Sequence, residues 1–449
     1  MALAVPVAAQ MLDSPAVGTM PEDYLPGLNP LLQSALEQSP RMIANQMQIA
    51  VADAQRLYNG VAPLLPNVNG NMQYGAQSSS VSGGGPTSTN KGFQYNMQVN
   101  QNIFQWGALK NQLEVQKVAV TISQRNYAEG YRAYVGTLRR QYLGLIASKI
   151  ALRNAQYSLK LAQKALEVAN ERLKSGAISP AEMTGPGLDV DDRQLWVDRS
   201  TEAYEYARRT LAREAGLADL PDASVPNEIP VPKYASDAAS GLLADLLRDG
   251  AKDTFQAQVD ELNIDQQKME YKIAKVRLLP KVSTYAGISQ QNQTYATSGQ
   301  VQQTFVTNEF YWVQAQWTLF DGLATRGQKL QALYYRRYYE RLLQATAEET
   351  MDQAQNARRN LDFAFRAMNL AERRRALATA ALEQVKKEFK LGTMTQDMLN
   401  GSTDGLNQNE LAATTARADF LSAWSDFVSL VGADPAMKNL PARYVRPVH

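Results

Sequence analysis

Phe93-Gln94-Tyr95-Asn96-Met97-Gln98-Val99-Asn100-Gln101-Asn102-Ile103-Phe104 is the stretch on which the fold turns. Phe93, Tyr95, Met97, Val99 and Ile103 alternate with Gln94, Asn96, Gln98, Asn100 and Asn102, the period of two that sends successive side chains to opposite faces of a strand. One face is apolar; the other is polar without being charged. The strand passes through Gln105-Trp106-Gly107 into a proline-free run from Ala108 to Ser175, where Leu159, Ala162, Leu166, Ala169 and Leu173 recur at steps of three and four. At 1.5 Å per residue such a helix is on the order of 100 Å long, a rod for which an ordinary globular core has no use.

The whole pattern occurs twice. Leu278-Leu279-Pro280 answers Leu64-Leu65-Pro66, Phe320-Asp321-Gly322 answers Phe104 to Gly107, and Gly392 and Gly432 stand 216 positions beyond Gly176 and Gly216. Leu161-Ala162, Ala165-Leu166-Glu167, Lys174 and Gly176 recur identically at Leu377-Ala378, Ala381-Leu382-Glu383, Lys390 and Gly392. Each copy reads as helix, strand, loop, strand, long helix, tip and return helix.

The division this implies starts with a lead-in over 1–28, the remnant of a signal peptide or a disordered start: Met1 to Ala9 is apolar, with Val7 and Ala9 spaced like a cleavage site. The first repeat covers 29–216, with Asn29 capping a helix that runs to about Gly60, strands over 67–77 and 93–106, the long helix over 108–175 and the tip at 176–180. Ser78 to Gly92, with Gly83-Gly84-Gly85-Pro86, reads as an exposed loop, and Ser179-Pro180 as the start of the return helix, interrupted again at Gly185-Pro186-Gly187. A proline-rich linker follows over 217–240. The second repeat covers 241–432, with strands over 281–295 and 310–320, a long helix to 391, a tip over 392–397 and a return helix; a tail occupies 433–449.

Composition removes several functions. A net charge of +2 over 449 residues of mixed sign offers no basic field for nucleic acid. With no cysteine, and His449 as the one histidine, thiol nucleophiles, thiolate sites and histidine-based triads are excluded, so neither enzyme nor cofactor or metal site is expected. Asp189, Asp191 and Asp192 lack calcium-loop spacing and read as a polar helix start. No apolar run approaches the ~18 residues of a membrane-spanning helix.

The strands nevertheless suit a membrane. They have a lipid-compatible face, a face of Asn, Gln and Thr, and at least the roughly 9 to 11 residues that cross a bilayer. Aromatics cluster at their ends, with Phe93, Tyr95, Tyr295, Tyr311 and Trp312 toward the loops and Trp106 and Trp317 toward the helices, as two interfacial girdles would. Four strands cannot close a barrel, and an open edge in hydrocarbon leaves unpaired N–H and C=O groups at several kcal/mol each. Other copies must complete it, and three would supply about 12 strands. A soluble helical scaffold or a toxin-like coiled-coil pore former is the alternative, and neither accounts for the duplicated strand pairs.

The tip patterns Arg172-Leu173-Lys174-Ser175-Gly176-Ala177-Ile178-Ser179 and Glu388 through Thr395, the strand-to-helix junctions at Phe104 and Phe320, and Ala416 to Leu421 before Gly432 resemble the TolC-like outer-membrane efflux family over nearly the whole of both repeats. The resemblance implies a mainly α chain with a membrane β part: a homotrimer forming a roughly 12-stranded barrel in outer-membrane lipid, continued by an α-helical coiled-coil barrel into the periplasm of a Gram-negative-type bacterium. It implies an exit duct for tripartite efflux or type I secretion, docked through its tips to a periplasmic adaptor and an inner-membrane transporter, and passing substrates unchanged. The docking candidates are Arg172, Leu173, Gly176, Ser179, Phe389, Gly392 and Thr395. Glu182, Asp397 and Asp404 are candidates for an acidic periplasmic gate. Gly185, Gly187, Gly401 and Gly405 mark matching weak points that would serve as hinges.

Overall fold

The computed structural model describes residues 20–79, 88–297 and 300–445. The apolar opening of the chain, the Gly83-Gly84-Gly85-Pro86 run and His449 lie outside these residues, as does the side chain of Tyr295. The described residues form two units: one takes 20–47, 125–258 and 344–445, the other 48–79, 88–124, 259–297 and 300–343.

The second unit carries the strands. β1 (Asn67–Ser79), β2 (Ser88–Phe104), β3 (Lys281–Thr297) and β4 (Gln300–Gln316) form one antiparallel sheet in the order β1-β2-β3-β4. Register brings the alternating apolar residues together: Val68 lies opposite Val99, Met72 opposite Tyr95 and Tyr74 opposite Phe93, while Met97 meets Ile288 and Ala286 meets Tyr311. A slip by one residue would move this set to the other face. The face stays uncovered in the single chain, with Met72 68%, Tyr74 77% and Tyr311 86% exposed.

Two strands depart from expectation. β2 begins at Ser88, inside the stretch expected as loop, because Ser88, Thr89 and Asn90 pair through their backbones with Ser79, Ser78 and Gln77 and need no apolar side chain to do so. β4 occupies 300–316 rather than 310–320: Gln316 pairs with Lys281, and the next residue on that strand is Pro280, which has no N–H to continue the ladder. Trp317, Leu319 and Phe320 therefore lie beyond the sheet, 63%, 76% and 76% exposed.

Each strand pair leads into a long helix. α4 (Ala108–Lys174) and α8 (Ala324–Lys390) are both 67 residues long, and each end of α8 is 216 positions beyond its counterpart, as 324 is beyond 108. Two left-handed residues make each junction, Trp106 and Gly107 (φ 54° and 80°) and Gly322 and Leu323 (φ 64° and 71°). Each pair spends one glycine and one bulky residue in this conformation, but in opposite order. Trp106 Nε1 donates to the Pro280 carbonyl at 2.7 Å, and Asp321 accepts from the Thr325 N–H at 2.9 Å, capping α8.

The expected first helix is two pieces, α2 (Leu28–Gln38) and α3 (Pro40–Gln55), the latter running into a wider turn over Arg56–Val61, and a short α1 (Pro21–Tyr24) precedes them in the lead-in. Pro40 explains the break, since the residue before a proline is held out of the α region and Ser39 is extended at ψ 126°. Gly27, not Asn29, precedes α2. Nor is the described end of the lead-in disordered: Met20, Leu25 and Leu28 are buried, and Glu22 accepts from the fully buried Arg139 of α4 at 2.6 Å.

Arg139 also reaches Asp434 at 2.6 and 2.9 Å and Ser425 Oγ at 2.9 Å. The two carboxylates raise its pKa against the opposing effect of burial; burial raises that of Glu22, which Arg139 partly offsets. Tyr131, Leu138, Tyr142, Phe420, Trp424 and Phe427 are buried in the same unit. Asp434 belongs to the segment expected as a tail, which instead forms a short turn over Pro435–Asn439 and α10 (Ala442–Val445) with Met437, Leu440 and Tyr444 buried.

The proline-rich linker is a strap tied at successive points. Leu220, Val225 and Ile229 are buried, Lys149 Nζ donates to the Val225 carbonyl at 2.8 Å, and Arg417 to the Ile229 carbonyl at 2.6 Å. Tyr234 donates to Asp362 at 2.8 Å and packs against Phe365 and Phe420; burial and that acceptor push its hydroxyl up to about 12. Its last residues already belong to α6 (Ser236–Asp249), and α7 (Phe255–Lys275) returns toward β3.

Candidate functional site

The two hairpin tips are built alike. Gly176 and Gly392 are left-handed, at φ 71° and 76°, a conformation that costs other residues about 1–2 kcal/mol. Past each, the chain hydrogen-bonds back across the last turn: Ala177 N–H to the Arg172 carbonyl at 2.8 Å, and Thr393 N–H to the Glu388 carbonyl at 3.0 Å. After these bends the copies diverge.

In the second, Thr395 caps α9 (Gln396–Leu430) directly, its hydroxyl accepting from the Met398 N–H at 3.3 Å. In the first, Ser179 and Glu182 form the reciprocal pair expected of a capping box: Glu182 accepts from the Ser179 N–H at 2.6 Å, and Ser179 Oγ from the Glu182 N–H at 3.4 Å. Yet α5 (Thr184–Glu214) starts only at Thr184. Pro186 has no N–H for the Glu182 carbonyl, so a helix begun at Pro180 could not continue past it. Gly185-Pro186-Gly187 is consequently the first turn of α5, not an interruption within it.

The exposed apolar groups here are partly unexpected. Leu173 and Phe389 are half-buried, whereas Leu391 is 78% and Met398 55% exposed. Arg172, Gly176, Ser179, Gly392 and Thr395 are exposed.

Sequence and fold comparisons give the following likenesses. The model of the family described as outer membrane efflux protein matches residues 31–216. The pyoverdine export outer membrane protein OpmQ of Pseudomonas putida is 26% identical over 307 residues, 62% of each chain. The match thus spans less than two thirds of that relative. The Campylobacter jejuni CmeC outer membrane channel superposes with a TM-score of 0.69 at 13% identity, over 96% of this chain and 94% of that one. The outer membrane protein VceC of Vibrio cholerae does so at 0.63 and 14%, over 92% and 99%.

Residues 31–216 thus resemble the outer membrane efflux protein family, and the chain as a whole shares the fold of outer membrane channels. Its fold is that of these TolC-like outer membrane channels.

The three candidate gate carboxylates have different surroundings. Glu182 caps the first tip, and its hydrogen bonds to Ser179 lower its pKa. Asp397 is exposed in the first turn of α9. Asp404 is half-buried, and burial raises its pKa although Arg193 lowers it; Arg193 also binds Asp189 at 3.3 Å. Asp189 is thus held in an ion pair, and no cluster of metal-ligating residues occurs among the described residues. Gly401 and Gly405 lie inside the unbroken α9, with open space where a Cβ would stand.

The aromatic set divides. Phe93, Tyr95 and Tyr311 share the apolar face, whereas Trp312 follows Tyr311 in the same strand and takes the opposite one, with Asn100 and Tyr285. There it stacks on Phe310 at 4.7 Å, and Phe310 covers Gly287, where an added Cβ would fall 2.6 Å from the ring. Trp106 and Trp317 stand beyond the strands at the helix side.

Proposed function

We propose that three copies of this chain form the outer-membrane exit duct of a tripartite efflux or type I secretion system, through which cargo leaves without chemical change. The observation that carries the reading is the four-stranded meander with an uncovered apolar face and free outer edges on β1 and β4. An even number of antiparallel strands leaves β4 of one copy antiparallel to β1 of the next, so identical copies can close the sheet with the same kind of ladder throughout. Lipid then covers the face that holds Met72, Tyr74, Met97 and Tyr311.

In the helical unit, Arg172, Leu173, Gly176, Ser179, Phe389, Gly392 and Thr395 present the adaptor-docking tips, joined by the exposed Leu391. Asp397 and Asp404 are the carboxylates suited to a gate, since Glu182 is engaged in capping. Gly185, Gly187, Gly401 and Gly405 supply the flexibility to open it.

Detergent-extracted protein should sediment as a trimer and raise the conductance of a planar bilayer. A stable monomer in aqueous buffer without detergent sinks the reading.

A further inference from the structure

Four long helices of the helical unit touch in one order. Arg193 of α5 donates to Ser158 Oγ of α4 at 2.9 Å, Asn154 of α4 to the Asn407 carbonyl of α9 at 2.9 Å, and Arg417 of α9 to Glu372 of α8 at 2.6 Å. The order is α5-α4-α9-α8, which puts α5 and α8 at its two ends. Their outer sides are not those of ordinary solvated helices. On α8, Phe363, Leu370 and Leu377 recur every seven residues and are exposed, Leu377 by 71%. Arg366 and Arg373 fall three residues after the first two, so the five make one stripe opposite the buried Leu361, Met368 and Leu382. On α5, Leu188, Leu195 and Tyr206 are exposed on the side away from the buried Tyr204 and Leu211, with Asp191 and Glu202 between them.

Charge divides the two stripes. From 363 to 377, α8 exposes Arg366, Arg373 and Arg374, while Glu372 is bound by Arg375 and Arg417 and the neighbouring Asp362 by Arg358. From 188 to 206, α5 exposes Asp191, Asp192, Asp198 and Glu202 against Arg199 alone, because Asp189 and Glu205 are paired with Arg193 and Arg208. One side is basic and the other acidic. They also run in step from the tips, in opposite chain directions. Asp191 lies 15 residues past Gly176 and Leu377 15 before Gly392; for Leu195 and Arg373 the count is 19, and for Glu202 and Arg366 it is 26. Arg209 and Arg359, each at 33, end the matched stretch with like charges.

We propose that these stripes form the helical seam between copies: α8 of one copy packs antiparallel on α5 of the next, with Arg366 beside Glu202, Arg373 between Asp191 and Asp198, and Leu370 and Leu377 on either side of Leu195. The inference rests on the duct reading, which supplies the three copies, and carries their contact from the sheet into the helices. As with β1 and β4, each repeat contributes one of the two free edges. Because the seam joins two different surfaces, identical copies can repeat it around a ring and leave neither stripe uncovered. Its charges set partner and register more than strength.

The chain has no cysteine, so a pair can be introduced without background. Leu195→Cys with Arg373→Cys, in detergent-purified trimer treated with a short bismaleimide, should give covalent dimers and trimers on a denaturing gel, and either single variant only monomers. Arg366→Glu should lower the temperature at which the trimer dissociates, and adding Glu202→Arg should restore at least half of that loss; this second pair decides the matter if the cysteine pair prevents assembly. A trimer whose cysteines link only within one copy or react singly, or a double reversal no better than the worse single variant, overturns this inference alone. Cysteines shielded only after a periplasmic adaptor is added would give the stripes to that partner and overturn it as well. Wild-type protein that never trimerises overturns the duct reading and this inference with it.

Discussion

Tryptophan 424 and tryptophan 317 belong to the same chain and meet opposite fates: Trp424 is fully buried, whereas Trp317 is 63% exposed. The same contrast separates Tyr142, 1% exposed, from Tyr311, 86% exposed. The helical unit buries a set of aromatics and compensates the charges buried in the same unit, although Phe363 and Tyr206 stay exposed there. The sheet unit displays the groups a soluble protein hides. The difference teaches that the sheet is finished by its surroundings, and that each unit should fail under a different insult.

The helical unit should be the more sensitive to loss of a charge. Arg139→Ala leaves Glu22 and Asp434 buried beside each other without their cation, and removing one partner of a buried pair costs about 3–5 kcal/mol. Thermal unfolding of the solubilised protein should show that loss, while Arg140→Ala next door, whose ion pair with Asp426 is half exposed, should change stability by less than about 1 kcal/mol. Equal effects would mean that the buried cluster does not hold α1, α4 and the C-terminal segment together.

The sheet should instead be sensitive to gain of a charge, and only on one face. Met97→Arg, near the middle of β2, should cost about 2–4 kcal/mol in the folding equilibrium measured in lipid vesicles. Gln98→Arg, one residue on and facing the other way, should cost far less. A reversed order would exchange the lipid and water faces and undo the barrel.

How much of this was legible beforehand follows from what each feature depends on. The alternation from Phe93 to Ile103 and the glycines at both tips are local signals, and they placed the strands and hairpins. The end of β4 at Gln316 depends on Pro280 across the ladder, which no reading of β4 alone could supply. The Arg139 cluster joins residues 22, 139 and 434, far apart in sequence and unremarkable in any local window. Tyr311 and Trp312, expected toward the loops, stand nearer the helix end because β4 starts at Gln300 and not at 310, and strand periodicity puts the two on opposite faces.

Smaller effects sharpen the comparison between the repeats. Leu323 holds a left-handed conformation that glycine would adopt freely, so Leu323→Gly should gain about 1 kcal/mol in unfolding free energy. Trp106→Gly relieves the same strain but loses the hydrogen bond to Pro280 and the contact with Phe104, at 5.0 Å between rings. It should therefore gain nothing or lose stability. If both substitutions stabilise equally, the tryptophan bond contributes little, and the junctions differ only in the order of their glycines.

The last difference lies in the return helices. α5 begins with Gly185-Pro186-Gly187, whereas α9 carries Gly401 and Gly405 within its body, where each glycine weakens the helix by about 1 kcal/mol relative to alanine. Nothing stands within 4 Å of where a Cβ would be added at either position, so Gly401→Ala with Gly405→Ala should stiffen α9 without a clash. If α9 bends when the duct opens, the double variant should form normal trimers, resist denaturation slightly better and export less in a cell-based efflux assay. Full export by a stabilised trimer would show that these glycines are passive, and would move the opening motion to the first turn of α5, where Pro186 already limits the hydrogen bonding.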